Sequence, residues 1–311
     1  MPARTALLLL GLAAAAIGCR GDRQGATPRT ESAELADRDR RLSLKLANTA
    51  DADTTAPLAR WLMPGDLREV SGLALTADGR LITHDDEQGR ITVIDPRRGM
   101  TLKHFWIGQS VHADFEGIAD ANGTLYLLTS NGRLFEFEEG ADGEHVHYVV
   151  HDTHLSRECE FEGVAFDSTT KTLLLACKNV GEKKLRDHVV LYRWNLQTSD
   201  APRDAMILIP LQKVIGANKW KGFHPSDITI DPVSGNYIII AAQEDGLIEI
   251  TPAGQVVRSV PLPGKHHRSE GVAISRDGFL IVSDEASNST AAAITLYRWR
   301  PSAIITPTGA P

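Results

Sequence analysis

The chain has 311 residues, of which 42% are hydrophobic and only 6% aromatic, and it contains 26 glycines. Its formal net charge of −7 leaves no basic excess to neutralise phosphates, so we expect no nucleic-acid partner. Short apolar segments separated by turn residues favour many short strands over long helices.

The N-terminus has the pattern of an export signal over residues 1–18. Arg4 is followed by an apolar run from Ala6 to Ile17, which at about a dozen residues is too short to span a membrane. Small residues then precede Cys19, as in a bacterial lipobox, although an ordinary signal peptide cut nearby is the alternative. We therefore expect a lipid on Cys19 that anchors the protein in the cell envelope, facing the periplasm. Arg20 after the cysteine favours the outer membrane over the inner one.

The next segment, residues 19–55, is rich in charged and small residues and lacks strand alternation. This composition predicts a flexible tether between the lipid and the folded domain. A short helix from Ala33 to Leu46 is the alternative, with a thin apolar face.

One motif repeats through the remainder of the chain. Each copy has a Ser or Glu, then Gly or Asp, then an aliphatic residue, and it runs on into a turn such as Asp78-Gly79 that is typical of a hairpin. The five copies begin at Val70, Phe115, Phe161, Pro225 and Ser269.

Two further strands follow each turn, and a fourth is visible in four of the units. Four strands in about 45 residues is the period of a propeller blade. The pattern predicts an all-β fold, a five-bladed β-propeller over residues 56–301, with a disordered tail over 302–311. Since the fifth unit stops after its third strand, we predict that Ala56–Met63 pairs with Ile294–Trp299 and closes the last blade.

The repeat resembles the SdiA-regulated, YjiK-like family of bacterial envelope proteins. The closest tracts are Glu69–Leu73, Glu160–Val164 and Ser269–Ala273, and the resemblance extends over residues 57–301. It implies a five-bladed propeller in the cell envelope, and it implies no particular activity.

Two cysteines, Cys159 and Cys177, remain for the folded part of an exported protein. They flank a predicted hairpin. An oxidising compartment permits a disulfide between them, but hairpin geometry often disfavours one, so two buried thiols are the alternative.

The first strand of each blade lines the channel of a propeller, so equivalent motif positions recur at one height. Glu116, Glu162 and Glu270 occupy the second motif position, and Asp227 follows the serine of the fourth unit. Neighbouring carboxylates require protonation, a bound cation or hydrogen bonds from backbone N–H groups. Two hypotheses therefore stand: Glu side chains that cap neighbouring blades, and a cation site that prefers Ca²⁺ to Mg²⁺.

A second ring lies two residues earlier on the same strand face, which makes the predicted mouth of the channel electronegative. Its members are Glu69, Asp114, Glu160, His224 and Arg268.

The turns after the second strands could face the same mouth, although charged surface turns are the alternative. Their candidate metal or ligand residues are His84, Asp85 and Asp284.

No nucleophile elbow, zinc-binding His-Glu motif or phosphate-binding loop is present. We therefore expect a binding or scaffolding module with no assigned catalytic residue. An unknown protein or small-molecule ligand is expected to bind at its mouth. We also expect a monomer. The alternative, on the analogy of other propellers, is a Ca²⁺-dependent hydrolase of the phytase or lactonase kind.

Overall fold

The computed structural model describes residues 31–49, 55–202, 205–216 and 218–302. The predicted signal peptide, the lipid site at Cys19 and nearly all of the predicted tail lie outside these residues. Among the described residues, no helix is both long and apolar enough to cross a membrane.

Five antiparallel sheets follow one another along the chain, as the repeat predicts. Blade I contains β2 (Ser71–Leu75), β3 (Leu81–His84), β4 (Arg90–Asp95) and β5 (Met100–Ile107). Blade II contains β6 (Phe115–Ala121), β7 (Thr124–Thr129), β8 (Arg133–Glu138) and β10 (Tyr148–Asp152). A short strand between β8 and β10 in sequence, β9 (His145–Val146), pairs in parallel with β5 and so extends the sheet of blade I.

The remaining blades repeat the same order. Blade III contains β11 (Cys159–Asp167), β12 (Thr172–Val180), β13 (His188–Asn195) and β14 (Ile207–Pro210), with a short helix α2 (Leu211–Ile215) after it. Blade IV contains β15 (Asp227–Ile230), β16 (Tyr237–Ala241), β17 (Gly246–Ile250) and β18 (Val256–Pro261). Blade V contains β19 (Ser269–Ile274), β20 (Phe279–Asp284) and β21 (Ala293–Arg298).

The last blade is completed from the other end of the chain. Strand β1 (Ala59–Leu62) pairs antiparallel with β21, with Ala59 opposite Leu296 and Leu62 opposite Ala293. The predicted closing strand is therefore confirmed. The inner strands β2, β6, β11, β15 and β19 contact one another in a closed ring.

The hydrophobic core lies between the blades. Five clusters of buried side chains each join one blade to the next. The interface between blades I and II, for example, contains Ile82, Phe105, Ile118 and Leu127, all at most 1% exposed. Strands that are buried on both faces explain why the sequence shows apolar runs as well as strict alternation.

An 18-residue helix, α1 (Glu31–Asn48), precedes the propeller and packs against it. Leu42 is buried in the cluster between blades V and I. Arg97 binds Asp39 through its Nε at 2.5 Å, and the Lys45 ammonium donates to the Leu58 carbonyl at 2.9 Å. The structure thus differs from the predicted tether over residues 31–48, because one buried leucine and several ion pairs suffice to hold a helix with little apolar surface.

Cys159 and Cys177 form a disulfide, with Cα atoms 5.6 Å apart. The alternative of two buried thiols is wrong. The pairing of β11 with β12 shifts register on both sides of Phe161, and Phe161 is the register partner of Cys177. Cys159 lies two residues before Phe161 on β11, and at this irregular place in the pairing it is a neighbour of Cys177.

Candidate functional site

Glycine at the channel axis brings the five inner strands close together. A Cβ on Gly117 would lie 2.9 Å from the backbone nitrogen of Val164, and one on Gly163 would lie 2.7 Å from the Cα of Asp227. A side chain at either glycine would therefore force the blades apart. The repeated Gly of the motif is explained by this close approach.

The fourth unit has Asp227 in place of glycine. Asp227 is fully buried, and its Oδ2 accepts hydrogen bonds from the backbone N–H groups of Val272 (2.7 Å) and Leu73 (3.3 Å). Burial raises its pKa well above the usual range. One of the predicted ligand residues thus connects blade IV to blades V and I across the axis, beneath the mouth.

The mouth is the end of the channel where the inner strands begin and where the turns after the second strands lie. The structure brings the three glutamates of the predicted ring together there, since the negative charges of Glu162 and Glu270 both raise the pKa of Glu116. The Lys178 ammonium lies 2.6 Å from Glu162 Oε1, and the Arg268 Nε lies 2.8 Å from Glu270 Oε1. The partners of these two glutamates are thus cationic side chains, whereas structural caps would accept from backbone amides.

A second group of carboxylates lies beside this ring. The side chains of Glu69, Asp86 and Glu285 each place an oxygen within 4.8 Å of the others. Ser71 donates to Glu285 Oε1 at 2.5 Å, and Arg268 Nη1 lies 2.8 Å from Glu285 Oε2. The mouth therefore holds at least six acidic side chains and two cationic ones.

The predicted turns do reach the mouth, but different residues of those turns face it. Asp85 accepts the backbone N–H groups of Glu87 and Gln88 in its own turn, while Asp86 joins the carboxylate group. Asp284 likewise accepts backbone N–H groups, those of His267 and Arg268, whereas its neighbour Glu285 belongs to the carboxylate group of the mouth. Sequence reasoning named the turns that contain these two residues but singled out their neighbours, because a turn does not preserve the alternation of a strand.

The three remaining candidates have separate roles. His84 is fully buried, its Nδ1 lies 3.1 Å from the Asp85 carbonyl, and burial lowers its pKa to about 4. Asp114 accepts from Ser130 at 2.5 Å, and Glu160 accepts from the Asn179 amide at 2.7 Å. The last two lie at the rim beside the ring.

The side chain of His266 is buried beside the mouth, with 1% of its surface exposed. Its Nδ1 lies 2.9 Å from Asp284 Oδ2, and its Nε2 lies 3.0 Å from the Tyr297 hydroxyl. Asp284 also accepts the backbone N–H of His267 at 3.1 Å. These contacts fix the segment that carries Arg268 into the mouth.

Five carboxyl groups of the mouth have raised pKa values. Burial raises the pKa of Glu116 to about 9, with the negative charges of Glu162 and Asp114 adding to the effect. Burial also raises the pKa of Glu162 and of Glu285 to about 7, although Lys178 and Ser71 respectively oppose the rise. Burial and neighbouring acids raise the pKa of Glu69 and of Asp86. Such a site favours a bound positive charge.

The opposite end of the channel has a different character. A cavity of about 620 Å³ opens there between the inner strands. Buried aliphatic residues such as Leu73, Ile118 and Val164 line it. Asp120, whose pKa burial also raises, lines this cavity, but the larger group of acids with raised pKa values lies at the mouth.

The fold and this mouth define the class of protein, a five-bladed β-propeller with an acidic entrance to its channel. Residues 203–296 match the model of the SdiA-regulated family. The match supports, over this part of the chain, the resemblance seen in the repeat. No curated protein sequence matches the chain significantly.

Several solved structures are similar to this chain at low sequence identity. The glutaminyl cyclase of Myxococcus xanthus is 12% identical, with 78% of this chain and 94% of that chain covered and a TM-score of 0.55. The PQQ-bound aldose sugar dehydrogenase of Streptomyces coelicolor is 14% identical, with coverages of 78% and 99% and a TM-score of 0.49. The virginiamycin B lyase of Staphylococcus aureus is 10% identical, with coverages of 76% and 69% and a TM-score of 0.42. The first of these supports the fold, which is consistent with a binding or scaffolding module.

Proposed function

We propose that the chain is a binding module whose acidic mouth holds a divalent cation, Ca²⁺ in preference to Mg²⁺. The observation that carries the proposal is the group of Glu69, Asp86 and Glu285, whose oxygens lie within 4.8 Å of one another. Ca²⁺ takes six to eight oxygen ligands at about 2.3–2.6 Å in flexible geometry. Carboxylates from three separate segments, with Glu270 close by, suit that requirement better than the strict octahedron of Mg²⁺.

Cation binding should be coupled to proton release. Glu285 has a pKa of about 7, so near neutral pH it is partly protonated, and a metal ion must replace that proton. Calorimetric titration with Ca²⁺ in two buffers of different ionisation enthalpy should therefore give different apparent enthalpies, and binding should tighten as the pH rises from 6 to 8.

Thermal unfolding tests the cation site. We expect Ca²⁺ to raise the midpoint relative to EDTA, because a ligand present at about 100 times its Kd stabilises the folded state by about 2.7 kcal/mol. Glu285→Gln should remove most of that gain. Glu138→Gln removes the same charge from an exposed position on blade II and should leave the gain intact. A wild-type midpoint that is the same in Ca²⁺ and in EDTA would reject the proposal.

We also infer that the propeller works in the cell envelope on a lipid anchor at Cys19. The lipobox pattern supports this location, and so does the Cys159–Cys177 disulfide, because disulfides persist in oxidising compartments. Cys19→Ser should move the protein from the membrane fraction to the soluble periplasmic fraction. A variant that stays in the membrane fraction after a salt wash would contradict the lipid anchor.

A further inference from the structure

Arg268 places a positive charge among the carboxylates of the mouth. Its Nε lies 2.8 Å from Glu270 Oε1 and its Nη1 lies 2.8 Å from Glu285 Oε2. Its charge also lowers the pKa of Glu69 and of Asp86, against the larger effect of burial. One guanidinium therefore acts on all three carboxylates that could hold a metal ion.

The main chain of Arg268 is held by backbone hydrogen bonds, while its ion-paired side chain is largely exposed to solvent. The backbone N–H of Arg268 donates to Asp284 Oδ1 at 3.4 Å, and its carbonyl accepts the N–H of Glu285 at 3.1 Å. The side chain is 62% exposed, whereas those of Glu270 and Glu285 are only 14% and 2% exposed. The guanidinium can thus rotate out into water while the acids remain in place.

We propose that Arg268 is a built-in, displaceable occupant of the cation site. This inference rests on the proposed function, because it names what competes with the cation there. A guanidinium and a divalent ion cannot share Glu285 Oε2 without strong repulsion. At low cation concentration Arg268 neutralises the mouth, and at high concentration the ion displaces it. Arg268 thereby sets the concentration at which the mouth becomes occupied.

Lys178 does not have the same role. Its ammonium pairs with Glu162, on the Glu116 side of the mouth, whereas Glu285 is influenced by Arg268 and Ser71. An ion bound by Glu69, Asp86 and Glu285 would therefore displace the Arg268 side chain and not that of Lys178.

Ca²⁺ titration of Arg268→Gln beside the wild-type protein tests the proposal. We expect the variant to bind Ca²⁺ at least about fivefold more tightly, the lower end of usual coupling between two sites. Arg276→Gln makes the same change in net charge in the exposed turn between β19 and β20, and it should bind like the wild type. Arg268→Lys, which keeps the charge but loses the two-sided contact, should fall in between.

The outcomes separate this inference from the proposed function. If the wild type binds Ca²⁺ and Arg268→Gln binds equally or more weakly, the competitor role is wrong and the cation site stands. If neither protein binds, both proposals fail. Thermal unfolding adds a second readout. In EDTA Arg268→Gln should unfold at a lower temperature than the wild type, and in saturating Ca²⁺ it should show the larger gain. Equal gains in the two proteins would overturn the competitor role.

Discussion

The glutamates of the mouth differ in how their charge is compensated. Glu162 has the Lys178 ammonium at 2.6 Å and a pKa of about 7. Glu116 lies in the same ring, but Lys178 acts on it only at a distance while Glu162 and Asp114 repel it, and its pKa is about 9. The repeat therefore places equivalent residues at equivalent positions, and their non-repeated neighbours decide their protonation.

The raised pKa of Glu116 makes stability depend on pH in a defined direction. The folded protein keeps this proton up to pH of about 9, whereas the unfolded chain releases it near 4.5. Between these values the folded state binds more protons, so this group's contribution to stability is full below pH 4.5 and is lost as the pH rises toward 9. Glu116→Gln should remove the loss, because glutamine resembles the protonated acid.

We expect Glu116→Gln to be more stable than the wild type by about 1–2 kcal/mol at pH 9, a figure reduced for solvent screening at the open mouth. The two proteins should converge near pH 4.5. Urea unfolding in a Ca²⁺-free buffer across this range measures the difference. Glu138→Gln, at an exposed site, should follow the wild-type curve throughout. A difference between Glu116→Gln and the wild type that stays constant with pH would contradict the assignment.

At the scale of elements, the strands could be predicted and the helix contacts could not. The blade strands follow from local patterns, since hairpin turns and apolar runs recur with the motif. Helix α1 depends on Arg97, which lies in the turn between β4 and β5 and binds Asp39. Strand β9 depends in the same way on pairing with β5, far from it in the chain. Partners that lie so far away in the chain cannot be identified from the local pattern of a single sequence.

The candidate site follows the same division. The ring of Glu116, Glu162 and Glu270 could be predicted, because a repeated position in a propeller fixes a height in the channel. Asp86 and Glu285 could not be chosen over their neighbours Asp85 and Asp284, since turns orient side chains individually. The disulfide was left open for a related reason: the register shifts around Phe161 that bring the two cysteines together are not visible in the sequence.

At the scale of the whole molecule, contacts both at the axis and at the outer edge of the propeller close the ring of blades. At the axis, Asp227 connects blade IV to the backbones of blades V and I. At the outside, β1 supplies the fourth strand of blade V. Helix α1 adds a third contact over the same junction, since Arg298 of β21 donates to the Leu46 carbonyl and, at 3.2 Å, to Thr49. The junction between the first and last blades is thus joined by residues distant in the chain.

Truncation from the N-terminus should separate the contributions of α1 and β1. A chain that begins at residue 55 loses the helix but keeps the closing strand, and we expect it to fold with a lower midpoint, by several degrees, because Leu42 no longer fills the cluster between blades V and I. A chain that begins at residue 64 also loses β1. It exposes the edge of β21 and opens the cluster that contains Leu58 and Met63, so we expect it to aggregate or to lose cooperative unfolding. Circular dichroism melting and size-exclusion chromatography distinguish the two truncations. If the chain from residue 64 remained monomeric and melted like the chain from residue 55, closure by β1 would not be what holds the ring together, and the contacts of the inner strands at the axis would have to be sufficient.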